Sequence, residues 1–265
     1  MRLSRREFLA LAAGGTGGVI ACVCTGIAAG IGYWLLNREE KSEVIPLATS
    51  AVNRVDVNKQ IAVPHIIFGQ EWGAAAANHE AKNEKGFFSA ENPDGWRIYS
   101  EDLREIYNTV VIHHSVIDEG DDLASLKEVQ RLHQIDRGWA DVGYHFLIGK
   151  EGSIYEGRPL NVRGVHVAGY NTGTVGVCLI GNFMEDTLSD LQTQATDAIV
   201  QWLAVRLQLT HLAGHRDFNG QTVCPGDNLV TYFETWAANA ELKVGIDGYI
   251  APAETSHAGF CSCHT

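Results

Sequence analysis

Residues 109–114 read Thr-Val-Val-Ile-His-His. The first four are β-branched and polar residues bound the run, which is the pattern of a buried strand. Successive strand residues face opposite sides, so only one of His113 and His114 can point into a given site. Working outward, residues 175–180 (Val-Gly-Val-Cys-Leu-Ile) are almost wholly apolar and read as a second central strand. Between the two, residues 123–136 carry apolar side chains at Leu123, Leu126, Val129, Leu132 and Ile135, the three-to-four spacing of an amphipathic helix. Asp122, or Ser125 with Glu128 as a capping box, is placed to start it. Residues 144–148 and 153–156 read as a hairpin around Gly149-Lys150-Glu151-Gly152. Residues 189–207 read as a long helix begun by Ser189 or Asp190, and residues 226–241 as a third. Strands alternating with helices predict an α/β domain, a single mixed β-sheet flanked by helices, over residues 65–241. Residues 37–64 read as a linker, 74–100 as loop with a short helix, and 242–265 as a tail.

Composition narrows the function classes. The chain has 265 residues, 45% hydrophobic and 20% charged, which excludes a wholly disordered, collagenous or multi-span membrane protein. Its 20 Lys and Arg against 32 Asp and Glu give a formal charge of -12, unsuited to sequence-independent binding of nucleic acid. Six cysteines are too few for a disulfide scaffold of this length. The 11 histidines ask for an explanation.

The N-terminus reads as an address. Ser4-Arg5-Arg6-Glu7-Phe8-Leu9 resembles the twin-arginine export motif, and residues 8–36 carry no charge, long enough to cross a bilayer. No clean small-residue cleavage site precedes Asn37-Arg38, so residues 1–36 are expected to be a retained signal and membrane anchor, with the remainder extracytoplasmic. A lipid-bearing Cys22 is the alternative.

Three features carry chemistry: His113-His114 at a strand end, Gly214-His215-Arg216-Asp217 in a loop after the long helix, and Thr222-Val223-Cys224-Pro225-Gly226 closing that loop. Two histidines and a cysteine meeting at the end of a sheet form a reasonable zinc site with an open fourth position, since imidazole and thiolate both suit that ion. By spacing alone, a histidine in an apolar strand is more often a hydrogen-bonded core residue than a ligand.

Five ordered blocks add a resemblance. They are 111–115 (Val-Ile-His-His-Ser), 138–148 (Gly-Trp-Ala-Asp-Val-Gly-Tyr-His-Phe-Leu-Ile), 164–171 (Gly-Val-His-Val-Ala-Gly-Tyr-Asn), 175–183 (Val-Gly-Val-Cys-Leu-Ile-Gly-Asn-Phe), and 214–217 with 224–227 (Gly-His-Arg-Asp and Cys-Pro-Gly-Asp). From about Glu71 to Trp236 the chain resembles zinc-dependent N-acetylmuramoyl-L-alanine amidases of the phage T7 lysozyme and peptidoglycan-recognition-protein type. The resemblance implies a peptidoglycan or muropeptide substrate and a monomer, with His113, His215 and Cys224 as zinc ligands. It implies Tyr144 as the residue that positions or deprotonates the attacking water, and Thr222 and His166 as oxyanion or substrate contacts. Arg158, Asn171 and His114 match positions that could hold peptide or sugar, His114 equally by packing or a supporting hydrogen bond. Family members that only recognise peptidoglycan typically lack the cysteine; its presence implies catalysis, with non-catalytic recognition as the alternative. One departure stands out: His215 and Cys224 are one position further apart than the family pattern, implying a bulge around Asn219-Gly220.

Overall fold

The computed structural model describes residues 61–247 and 249–250. The anchor expected over residues 1–36, nearly all of the linker and most of the tail lie outside them. Among the described residues, no helix is long and apolar enough to cross a membrane.

Seven strands form one sheet, in the order β1-β4-β3-β5-β2-β6-β7. They are β1 (Ile66–Ile67), β2 (Thr109–His114), β3 (Phe146–Ile148), β4 (Ile154–Glu156), β5 (Thr174–Leu179), β6 (His211–Gly214) and β7 (Lys243–Val244). Only β3 and β4 pair antiparallel; every other neighbour is parallel, which makes the sheet mixed as expected. Strands β2 and β5 run side by side through six residue pairs, and every residue of both is buried.

The helices are α1 (Gly69–Trp72), α2 (Leu103–Ile106), α3 (Asp122–Arg131), α4 (Asp190–Leu207), α5 (His215–Phe218), α6 (Asp227–Val230) and α7 (Phe233–Ala240). Strand alternation sorts the core into two layers. Val110, Ile112, Val177 and Leu179 pack with Ile199 and Leu203 of α4 and Trp236 of α7. Cys178 and Ile180 pack on the other face with Leu126 and Val129 of α3. His113 pairs with Cys178 across the ladder and so shares the α3 face, while His114 pairs with Leu179 and takes the α4 face.

Local expectations shift in several places. Helix α3 is capped by Asp121, whose carboxylate accepts the Ala124 N–H at 2.9 Å, one residue before the expected start. Its last turn widens into a π-helical segment, Leu132–Asp136. Ser189 caps α4 as expected, accepting the Gln192 N–H at 3.0 Å. The third helix breaks into α6 and α7. Strand β6 was not anticipated, and His215 follows it on a short helix instead of in a loop. Lys243–Val244 extend the sheet, so the expected tail begins inside the domain.

Two buried histidines make the fold acid-sensitive. His133 Nδ1 accepts the Gly143 N–H at 3.0 Å, and His145 Nδ1 accepts the Gly176 N–H at 3.0 Å. Both roles need a neutral ring, and burial pulls each pKa down to about 3 from 6.5. The unfolded chain therefore takes up protons below pH 6.5 that the folded chain refuses, so stability is full above that pH and falls as pH drops towards 3. Urea midpoints of the purified chain at pH 7 and pH 5 should show a clear decrease at pH 5; equal midpoints would contradict it.

Candidate active site

Three chain segments converge at the carboxyl end of the central strands. Strand β2 delivers His113, the turn from β6 into α5 delivers His215, and the loop before α6 delivers Cys224. One ligand atom from each lies within 4.8 Å of the others, and Cys224 Sγ is 3.7 Å from His113 Nδ1. Tetrahedral zinc with bonds of about 2.0–2.3 Å would hold such atoms roughly 3.3–3.8 Å apart, so two imidazoles and a thiolate fit the ion with small adjustments. Burial holds the His113 pKa far below 6.5 and lowers that of His215, which keeps both rings neutral and their lone pairs available. Burial also raises the Cys224 thiol to about 12, opposed by the backbone N–H of His114 and by Arg216. Metal uptake at this cysteine must displace a proton, and it strengthens as pH rises.

The loop carrying Cys224 is fixed through its backbone. Thr222 Oγ1 accepts the Cys224 N–H at 3.2 Å, and the Cys224 carbonyl accepts the Arg216 N–H at 2.9 Å. Asn219 and Gly220 are exposed, and a Cβ on Gly220 would meet nothing within 4 Å. Thr222 is half-buried and its hydroxyl proton is not used by this contact.

Tyr144 is half-buried, with its ring centroid 5.0 Å from that of His113 and 5.4 Å from that of His133. Burial first, then the neighbouring Cys178 and Cys224, push its pKa well above 10. In the metal-free chain Tyr144 is therefore a hydrogen-bond donor and not a base.

The remaining expected site residues sit differently. His166 is turned inward, 7% exposed, with Nδ1 3.0 Å from His113 Nε2, so it lies behind His113. Asn171 Oδ1 accepts the backbone N–H groups of His166 and Val167, both at 2.7 Å, and so shapes the loop carrying His166. His114 is buried, and its Nδ1 accepts the Phe183 N–H at 3.3 Å, the supporting contact weighed for it.

Arg158 departs furthest from a substrate role. It is fully buried and forks onto both oxygens of Glu84 at 2.6 Å, with further bonds to the carbonyls of Val142, Arg163 and Asp141. Its guanidinium stacks 4.7 Å from the Trp96 ring. Nothing of it is left for a ligand.

Sequence reasoning missed Cys178 beneath Tyr144, which the pairing of the two central strands could have flagged. It also missed Gly164 and Gly176, which stand in the quoted blocks but have no side chain to suggest a role. A Cβ at either would meet the His166 ring, at 2.5 Å and 2.8 Å.

A mixed α/β sheet with two histidines and a cysteine gathered at its carboxyl end defines a class of proteins with a metal-competent trio. The chain belongs to the family of N-acetylmuramoyl-L-alanine amidases and peptidoglycan-recognition proteins. The family model for N-acetylmuramoyl-L-alanine amidase matches residues 103–227. Peptidoglycan-recognition protein SC2 of Drosophila simulans is 37% identical over 142 residues, 51% of this chain and 77% of that protein. Among solved structures, the amidase LysC from Clostridium intestinale superposes with a TM-score of 0.50 at 28% identity, covering 68% of this chain and 100% of that one. The ectodomain complex of peptidoglycan-recognition proteins LCa and LCx bound to tracheal cytotoxin superposes with a TM-score of 0.53 at 29% identity, covering 65% and 96%.

Proposed function

We propose that this chain is a zinc-dependent amidase that hydrolyses the bond between N-acetylmuramic acid and L-alanine in peptidoglycan, acting outside the cytoplasmic membrane on the end of its own N-terminal anchor. The observation that carries this reading is the convergence of His113, His215 and Cys224 within 4.8 Å. A protein that only bound glycopeptide would have no use for a buried thiol facing two neutral imidazoles. Zinc held there supplies Lewis acidity for the scissile carbonyl and lowers the pKa of water towards ~7.

The chain's own groups do the rest. Tyr144, kept protonated by burial, donates a hydrogen bond that orients the attacking water or the carbonyl. Thr222 donates its free hydroxyl proton to the developing oxyanion; being neutral, it stabilises less than an ammonium would. The acidic surface does not favour anionic wall polymers, so specificity comes from the groove around these residues.

The test is release of new L-alanine amino termini from purified peptidoglycan, with zinc, with a chelator, and with zinc restored. Chelator-sensitive release rescued by zinc supports the amidase. Binding to peptidoglycan with no release under any of these conditions would replace it with recognition alone. Tyr144→Phe keeps the ring and removes the donor, so cleavage should fall by about 10²–10⁴ with zinc affinity unchanged; wild-type turnover in that variant would remove Tyr144 from the reaction.

A further inference from the structure

We propose that His166 is a positioning residue whose Nδ1 accepts the proton of His113 Nε2 and so fixes the His113 tautomer that leaves Nδ1 free to hold the metal. The inference rests on the zinc reading above and assigns a buried group that the cleft chemistry does not otherwise use.

Metal binding through His113 Nδ1 would set the direction of this hydrogen bond. His113 Nε2 and His166 Nδ1 are 3.0 Å apart, and the other nitrogen of His113 is the one facing Cys224 Sγ. A neutral imidazole carries one proton. If His166 donated to His113, the His113 proton would sit on Nδ1, pointing at the cysteine and blocking the ligand position. If His113 donates, its Nδ1 lone pair points to where His215 and Cys224 converge. His166 must then be neutral with its own proton on Nε2. That Nε2 is buried and completes no hydrogen bond in the fold.

The fold holds this ring in place from several sides. Gly164 and Gly176 leave the space it fills, and a methyl group at either would collide with it. The Asn171 carboxamide holds its backbone through two 2.7 Å bonds. The His145 ring lies edge-on at 5.9 Å and is itself fixed by the Gly176 N–H. A ring serving only as filler would not need its Nδ1 aimed at a ligand. Partners of this kind orient metal-binding histidines and typically change affinity about 10–100-fold when removed.

Two measurements test the proposal on the full chain. Long-range ¹⁵N–¹H spectra of the metal-free protein should show the His113 proton on Nε2. Zinc affinity, by competition with a chromophoric chelator, should fall about 10–100-fold in His166→Leu. His166→Asn, which keeps an acceptor where Nδ1 stood, should recover most of the loss. A His113 proton on Nδ1, or a folded His166→Leu that binds zinc within twofold of wild type, would overturn it. Should His166→Leu not fold, the wild-type spectrum still decides. A wild-type chain that binds no zinc would instead sink the amidase reading, and the tautomer spectrum would judge His166 separately.

Discussion

Replacing Cys224 with alanine is expected to abolish amide hydrolysis while leaving peptidoglycan binding and the fold intact. The side chain supplies one of three metal-competent donor groups that meet here among the described residues, and its loss leaves the two imidazoles. Zinc affinity should drop by more than the 10–100-fold typical of losing a supporting hydrogen bond, because a direct ligand is gone. The backbone of the loop does not depend on the thiol: Thr222 holds the Cys224 N–H and Arg216 holds its carbonyl. Thermal stability of the metal-free variant should therefore stay close to wild type. The checks are amino-terminus release, chelator competition, and co-sedimentation with peptidoglycan. Cleavage by Cys224→Ala at the normal rate would show that the site is misassigned.

The largest effect on stability is expected at Glu84. Glu84→Ala leaves the Arg158 guanidinium buried without its counter-charge and frees the Ala140 N–H, which Glu84 accepts at 2.9 Å. Breaking a buried pair by removing one partner costs about 3–5 kcal/mol, because the remaining charge is uncompensated. For a domain of this size that corresponds to a fall in Tm of about 6–20 °C. Replacing both residues, as Glu84→Leu with Arg158→Met, should recover much of the loss, since the charge left behind is what costs most. A fall under about 1 kcal/mol in Glu84→Ala would mean that water reaches the pair and the pocket is not dry.

The long elements of this fold were legible because their patterns are redundant. Strand β2 is a run of β-branched residues, β5 an unbroken apolar run, and α4 has both periodicity and a serine cap. Strand β6 was not, because His211-Leu212-Ala213-Gly214 has neither length nor β-branching; its neighbour β2 makes it a strand. The metal-competent trio was readable through motif order, which spacing alone left ambiguous. The surrounding roles were harder for a physical reason. A motif names a residue but not the direction of its side chain. His166 and Arg158 both turn inward, one towards His113 and the other towards Glu84, which lies 74 positions away in a segment read as loop. An arginine near a cleft looks the same in sequence whether it meets a substrate or a buried carboxylate.

The two ends of the sheet bear on how this protein behaves when crowded. Its flanking strands, β1 and β7, are two residues each, so either margin offers only a few unpaired backbone groups to a neighbouring chain. Longer margins would be templates on which molecules concentrated along one polymer could zip together through main-chain pairing. Among the described residues, short margins reduce the main-chain surface open to that route of aggregation.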